Sequence, residues 1–247
     1  MINLSELREK ALVIVAHPDD ETIWMGGTIL MNPQVRWTIF SLCRRDDRDR
    51  APKFRKVCKY YGARGIISDL DDEEVLNLRE SLPEIRARLL DFFPTFRNRD
   101  SIRSGGGLPA ASQRGDSALR RPSSPRFREL PQSRKEIQPS VSQFDYIFTH
   151  GYNGEYGHPR HRGVSRVVKD LVSSGTIKTK KLFTFSYKFD ERKNICRPRA
   201  SDVFIKLSPT SFSRKKKIIT DVYGFKKSTF EYRTLSKVEN FKLLKRK

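Results

Sequence analysis

The run Ala11-Leu12-Val13-Ile14-Val15-Ala16, followed at once by His17-Pro18-Asp19-Asp20-Glu21-Thr22, decides how the rest of the chain is read. An apolar run with no polar interruption reads as a strand buried on both faces, as in a parallel sheet. The polar stretch after it reads as a turn into a helix, Ile23 to Met31. Working outward, the alternation continues. Val35 to Leu42 reads as a second strand. Asp49 to Tyr61 reads as a helix, with Phe54, Val57, Cys58 and Tyr61 on one face and Gly62 placed to stop it. A short strand starts at Gly65, and Leu82 to Phe93 returns to helical spacing. Later, Phe144 to Thr149 reads as a strand and residues 159–174 as a helix presenting Val164, Val167, Val168 and Leu171. Leu182 to Tyr187 and Val203 to Leu207 read as strands, and Ser208 to Tyr223 as a helix ended by Gly224. Strands alternating with helices predict an α/β fold, a Rossmann-like three-layer sandwich around a mostly parallel sheet.

Charge is distributed unevenly. The 247 residues carry 50 Lys+Arg against 29 Asp+Glu, a formal net charge of +21. Residues 1–93 hold 15 basic and 16 acidic side chains, residues 94–143 hold 10 and 4, and residues 144–247 hold 25 and 9. The excess therefore belongs to the middle and the C-terminal part. The middle stretch contains 9 Ser, 6 Pro and 4 Gly, including Gly105-Gly106-Gly107, and shows neither apolar period. It reads as an atypical, disordered insert in a single domain spanning 1–247. A solvated insertion, a functional lid and an out-of-frame stretch are three readings of it. No apolar run reaches the length of a membrane span. The first apolar run is too short for a secretory signal and follows Glu6, Glu9 and Lys10. Three scattered cysteines (Cys43, Cys58, Cys196) make neither a disulfide scaffold nor a Cys zinc site. A reducing cytoplasm is the expected location.

The chain has 4 histidines: His17, His150, His158 and His161. His17 and His150 each follow a predicted strand, at the carboxyl end where open α/β sheets bind ligands. His158 and His161 open the next helix. His17 and Asp20 are spaced so that both reach one ion, and His161 would complete a His₂Asp site with a fourth position open, as catalytic zinc requires. Asp19, beside a ligand, is free to take a proton from water. His158, one helical turn before His161, is the candidate to stabilise an oxyanion or protonate a leaving amine. An Asp-Asp pair after a strand is commonly just a helix N-terminus, and a lone HxxH is weak. The two together, with all four histidines falling on one rim of the proposed sheet, point to a metal site.

These residues resemble a known family. Ala16-His-Pro-Asp-Asp-Glu21 with the later Gly157-His-Pro-Arg-His161 is similar to the PIG-L/LmbE-like zinc-dependent de-N-acetylases. The resemblance extends to Ser41-Leu-Cys-Arg-Arg-Asp-Asp47, to Thr149-His-Gly-Tyr-Asn-Gly-Glu-Tyr-Gly-His158 and to the stretch from Lys206 to about Leu244, and fails over residues 94–143. It implies an LmbE-like fold, His17, Asp20 and His161 as ligands of Zn2+ or another divalent metal, Asp19 as general base and His158 as the intermediate-stabilising histidine. It implies removal of the acetyl group from an N-acetylglucosamine unit in a glycan, glycolipid or glycoconjugate. One position departs: the family often has Asp or Asn where this chain has Arg160, and Arg there tends to lower a neighbouring histidine's pKa.

Arg44, His150, Tyr152, Asn153 and Glu155 are further candidates for contacts to sugar hydroxyls or a phosphate, His150 also for orienting a ligand. The run Arg214-Lys-Lys-Lys217 and the ending Leu-Leu-Lys-Arg-Lys247 read as a solvated face or as a surface for an anionic or lipid-linked substrate, peripheral to a membrane. No nucleic-acid motif or stacking array accompanies them, so nucleic acid is set aside as a partner. Two alternatives stand beside the hydrolase reading: a non-catalytic basic binding protein for anionic lipid or nucleic acid on the same scaffold, and an esterase acting on an O-acetyl sugar. The oligomeric state is not legible.

Overall fold

The computed structural model describes residues 9–72, 78–93, 144–201 and 203–244. The expected insert at 94–143 lies outside them, as does the final Lys-Arg-Lys. The elements run β1 (Lys10–Val15), α1 (Asp20–Met31), β2 (Arg36–Cys43), α2 (Arg50–Tyr61), β3 (Arg64–Leu70), α3 (Leu78–Phe92), β4 (Phe144–Thr149), α4 (Gly154–Gly157), α5 (Pro159–Ser173), β5 (Thr179–Phe185), β6 (Tyr187–Asp190), β7 (Ile195–Pro198), β8 (Val203–Lys206), α6 (Pro209–Lys217), a π-helical turn (Ile218–Val222), α7 (Phe230–Arg233) and β9 (Val238–Leu244).

A seven-stranded sheet has the order β3-β2-β1-β4-β5-β9-β8. The first five strands are parallel, β9 runs antiparallel to β5, and β8 runs antiparallel to β9. The chain steps outward from β1 to β3 and then returns to the other side of β1 as β4. The strand order therefore reverses between β1 and β4, which is where open α/β sheets form their ligand crevice. Residues 11–15 of β1 are fully buried, as its central place demands. Their side chains alternate between the two faces. Ala11, Val13 and Val15 join a core with Trp24, Phe54 and Val57. On that side α1 packs on α6, and α2 on the π turn. Leu12 and Ile14 face the other way, where α3 packs against α5. The result is a mostly parallel sheet between two helical layers, the fold the alternation of elements predicts.

Three elements depart from the sequence reading. The strand placed at Leu182 to Tyr187 ends at Phe185, and Tyr187 starts a separate hairpin, β6-β7. The helix expected from Ser208 to Tyr223 is α-helical only to Lys217. It then widens into the π turn, where the Tyr223 amide reaches the Ile218 carbonyl at 3.0 Å, before Gly224 (φ 80) ends it. The strand β9 carries no clean alternation because Glu239 and Asn240 are polar yet buried.

Glu239 explains that exception and corrects the reading of Arg214-Lys-Lys-Lys217 as a solvated face at one residue, Lys215; Arg214 and Lys217 are exposed. Lys215 is fully buried and its ammonium meets Glu239 at 2.6 Å. Glu239 also accepts from the Gly27 and Thr28 amides of α1, at 2.9 and 2.7 Å, and from the Thr28 hydroxyl at 2.6 Å. One carboxylate thus ties α1, α6 and β9 together. Gly27 is required beside it, because a Cβ there would press into the Leu207 side chain. No helix among the described residues is long and apolar enough to cross a membrane.

Replacing Lys215 with Met should leave the Glu239 charge buried and uncompensated, and cost about 3–5 kcal/mol of stability. Urea unfolding of Lys215→Met against the parent measures this; a loss below about 1 kcal/mol would show that the pair does not hold α6 in place.

Candidate metal centre and pocket

The carboxyl ends of β1, β2, β3 and β4 bring the chemistry together. His17 follows β1, and Asp19 and Asp20 start α1. Arg44 follows β2, Asp72 follows β3, and His150 follows β4. His158 caps α5 and His161 lies in its first turn. The turn after β4 is tight: Gly154 and Gly157 adopt positive φ, and so does Glu155 at φ 57. A non-glycine residue there costs of order 1–3 kcal/mol and persists only where surrounding contacts fix it. Glu155 is fixed by three donors, described next.

The histidine tautomers follow from their partners. The Ala16 amide donates to His150 Nε2 at 2.9 Å, so His150 carries its proton on Nδ1 and donates to Glu155 Oε2 at 2.9 Å. His161 Nδ1 donates to the same Glu155 oxygen at 2.7 Å, and the Gly151 amide donates to Glu155 Oε1 at 2.7 Å. On the other side, His17 Nε2 donates to Asp72 Oδ1 at 2.9 Å, and Arg44 donates to Asp72 Oδ2 at 2.7 Å. Burial opposes the charge of Asp72, but His17 and then Arg44 outweigh it and hold its carboxyl below the usual range.

With their outer nitrogens engaged, the inner nitrogens turn toward each other. His17 Nδ1 lies 3.2 Å from His161 Nε2, and Asp20 Oδ2 lies 3.3 Å from each. Two lone pairs and a carboxylate oxygen at this spacing repel unless a cation or a proton sits among them. Metal–ligand bonds of about 2.0–2.2 Å in a tetrahedron place ligand atoms roughly 3.3–3.6 Å apart, so the triangle fits a small divalent cation. A proton is the competitor. Burial disfavours charge on His161, but Asp20 and then Glu155 overcome it and push its pKa up to about 10. Asp20 stays ionised: burial raises its pKa, but His161 and His150 hold it well below the ordinary value. Two other donor groups lie nearby, His17–Cys43–Asp72 and His150–Glu155–His161. In the first, burial pushes the Cys43 thiol far up, so it stays protonated. The second is consumed by its own hydrogen bonds.

Above the triangle is a cavity of about 230 Å³. Asp19 and His158 both line it. Asp19 sits at φ 112, and Arg50 donates to its Oδ2 at 2.5 Å. Burial, then the neighbouring Asp20, pushes the Asp19 carboxyl well above the usual carboxylate range despite Arg50. His158 accepts from the Arg160 amide through Nδ1 at 3.2 Å, capping α5. Its neutral form therefore carries hydrogen on Nε2. Burial, then the charges of His161 and His17, lowers its pKa to about 3, so it is neutral near pH 7. As a protonated acid it would be poorly suited; as a neutral hydrogen-bond donor it is well suited. Tyr156 and Phe230, ring centroids 5.0 Å apart, wall one side of the cavity.

A family model described as PIG-L, GlcNAc-PI de-N-acetylase, matches residues 12–172. The chain belongs to the PIG-L family. It is 23% identical over 185 residues to an uncharacterised protein of Acanthamoeba polyphaga mimivirus, covering 74% of this chain and 64% of that one. The chain thus spans less than two thirds of that relative's length. Among solved structures, the pseudoaglycone deacetylase Dbv21 superposes with a TM-score of 0.53 at 11% identity, over 88% of this chain and 82% of that one. A deacetylase in the biosynthesis pathway of teicoplanin gives a TM-score of 0.51 at 9% identity, over 87% of this chain and 84% of that one. At these identities the likeness concerns the fold.

The PIG-L chain gathers His17, Asp19, Asp20, His158 and His161 within one site. Of the five residues assigned to substrate, only Arg44 lines the cavity. His150 and Glu155 are buried and contact His161, which corrects their reading as substrate contacts and leaves His150 with the other role read for it, orienting a ligand. Tyr152 is exposed and, with Asn153, lines a separate cavity beside Arg199, which corrects theirs. Sequence reasoning misses Asp72, Arg50, Tyr156, Phe230 and Glu231, all of which line the pocket. Asp72 was findable: an acid just past a strand end sits on the ligand rim. Phe230 and Glu231 carry no local signal, because they arrive on α7 from far along the chain.

Changing Glu155 to Gln keeps its shape but weakens the acceptor that orients His161. Divalent-metal affinity should fall about 10–100-fold, read by competition with a chromophoric chelator. Unchanged affinity would show that Glu155 does not set the His161 tautomer.

Proposed function

We propose that this PIG-L chain is a deacetylase-type hydrolase that cleaves the N-acetyl amide of an amino sugar with a divalent metal, zinc by preference, held by His17, Asp20 and His161. The observation that carries this reading is the triangle of inner donor atoms, 3.2–3.3 Å on each side, directly beneath a cavity lined by Asp19 and His158. Support also comes from the family description, which names a de-N-acetylase.

When bound, a divalent cation supplies a Lewis acid that acidifies water and polarises a carbonyl. The chain's own residues supply the rest. Asp19, held in place by Arg50, takes the proton from the attacking water. Burial has made this carboxylate more basic than an ordinary one, which suits a general base. The Nε2–H of neutral His158 donates to the oxygen on which negative charge develops. Capping α5 through Nδ1 fixes that donor's direction before substrate arrives. Proton delivery to the leaving amine falls to protonated Asp19, since His158 holds no spare proton. Asp72 and Glu155 keep the two ligating imidazoles in one tautomer each. A cavity of about 230 Å³ is below the usual range for drug-sized ligands, and suits one small group such as an acetamido substituent.

The test is metal content and acetate release on purified full-length protein, with N-acetylglucosamine conjugates as substrates. One divalent ion per chain is expected. His161→Ala should lose both metal and turnover. Asp19→Asn should keep the metal and lose about 10²–10⁴-fold in turnover. Metal-replete protein that frees acetate from none of these conjugates would sink the substrate assignment, and Asp19→Asn at parental turnover would remove Asp19 as base.

A further inference from the structure

Asp19 sits at φ 112, a backbone conformation that residues with side chains seldom adopt. Two supports hold it there, one on its backbone and one on its carboxylate. The Asp19 amide donates to Glu21 Oε2 at 3.0 Å, and Arg50 donates to Asp19 Oδ2. Each support is itself held. Glu21 is fully buried in the first turn of α1, where its other oxygen accepts from the Thr22 hydroxyl at 2.7 Å and from the Tyr223 hydroxyl at 2.8 Å. The Arg50 guanidinium lies 4.5 Å from the centre of the Phe225 ring. Both supports therefore lead to one short segment, 218–225, far along the chain from Asp19. Local geometry explains how two residues so close in sequence serve both. In a continuous α-helix residues two apart point about 200° apart, so on an unbroken α6 the rings of Tyr223 and Phe225 would diverge. The π turn first widens the helix, with the Tyr223 amide on the Ile218 carbonyl. Gly224, at φ 80, then reverses the backbone, and the Phe225 amide closes on the Ile219 carbonyl at 3.0 Å. The two rings end 6.3 Å apart. Single π turns are rare and frequently fall at functional sites.

We propose that segment 218–225 positions Asp19 for proton transfer: Tyr223, through Glu21, sets the Asp19 backbone, and Phe225, through Arg50, sets the direction of the Asp19 carboxylate. Neither Tyr223 nor Phe225 is among the described residues lining the cavity, so both are positioning residues that act through another group. The face of an aromatic ring attracts a guanidinium and restricts its swing. A carboxylate bonded to that guanidinium is then restricted in turn. On the backbone side, loss of the Tyr223 hydroxyl frees one oxygen of Glu21 to turn away, and the Asp19 amide loses a fixed acceptor. Misplacing a reacting group by about 1 Å costs on the order of 10²-fold in rate, so supports this far from the cavity still bear on turnover. The use of Asp19 as a base rests on the hydrolase reading above; its anchoring by segment 218–225 does not, and an exchange measurement separates the two.

The experiment compares Tyr223→Phe, Phe225→Leu and Phe225→Tyr in the full-length protein, each alone and with Asp19→Asn. In the first arm, acetate release from N-acetylglucosamine conjugates is followed. Tyr223→Phe and Phe225→Leu should lower kcat roughly 10–100-fold with KM and metal content unchanged. Phe225→Tyr, which keeps a ring face under Arg50, should recover most of that loss. With Asp19→Asn already in place, neither change should lower the remaining rate further, because both act through that carboxylate. The second arm needs no turnover: hydrogen exchange is read by NMR. Tyr223→Phe should speed exchange at the Asp19 amide about tenfold, and Phe225→Leu should do the same for the Arg50 guanidinium, while the Val13 and Ile14 amides of β1 keep the parental rate. Each variant tests its own support, so either suffices if the other does not fold. If the parent itself releases no acetate, the hydrolase reading fails and the exchange arm alone decides the anchoring. Parental exchange at both Asp19 and Arg50 would overturn the proposal. So would rate losses of equal size with and without Asp19→Asn, because the two residues would then act on the fold at large.

Discussion

A single buried carboxylate, Asp20, joins the turn after β1 to the turn after β4. One oxygen accepts from the Trp24 indole at 2.9 Å, and the other accepts from the His17 amide at 2.9 Å while lying 3.3 Å from the inner nitrogens of His17 and His161. An ionised group this deep is tolerated only where partners surround it. Those partners come from two segments more than a hundred residues apart in the chain, made neighbours by the pairing of β1 with β4. The strand order reverses between these two strands, so their helices leave on opposite faces and a crevice opens between them. The sheet thereby supplies the gap, and Asp20 supplies the charge around which both turns are arranged.

Backbone strain is concentrated at this gap. Among the described residues, four non-glycine residues have positive φ, and three of them, Asp19, Arg44 and Glu155, belong to the site. Each is held by the contacts that define its place. Asp19 is tied to Arg50, Arg44 to Asp72, and Glu155 to both His150 and His161. Relaxed turns would be more stable locally but would aim these side chains elsewhere. Such strain is commonly stored where geometry must be set before a ligand arrives. A second carboxylate, Glu239, does comparable work on the outer part of the fold. It fastens α6 and β9 onto α1, and so fixes the frame from which the chain continues to α7 and the far wall of the pocket.

Much of the fold is legible in particular residues. The uninterrupted run at 11–16 marks a central parallel strand because only there are both faces covered. Gly62 marks a helix end because its left-handed backbone, φ 65, is readily adopted only without a Cβ. The elements that escape reading have the opposite character. In β9, Glu239 and Asn240 are polar side chains in buried positions, satisfied by partners that local sequence does not name. Lys215 hides in a basic run for the same reason. In the candidate site, the pairing of His17-x-x-Asp20 with His158-x-x-His161 is visible because each half is a local pattern. Asp72 and Phe230 belong to no such pattern.

Local pattern suffices to show that strands and helices alternate, that the histidines fall after strands and at the start of one helix, and that Asp19 and Asp20 stand beside the first of them. These follow from the periods of local structure and from donor types that only a few residues possess. Tertiary structure alone decided which nitrogen of each histidine faces inward, that Glu155 and His150 lie beneath the site and not on its rim, and that His158 is neutral. Tautomer, burial and pKa depend on what surrounds a group, and those surroundings are assembled from segments the chain keeps far apart until the sheet closes.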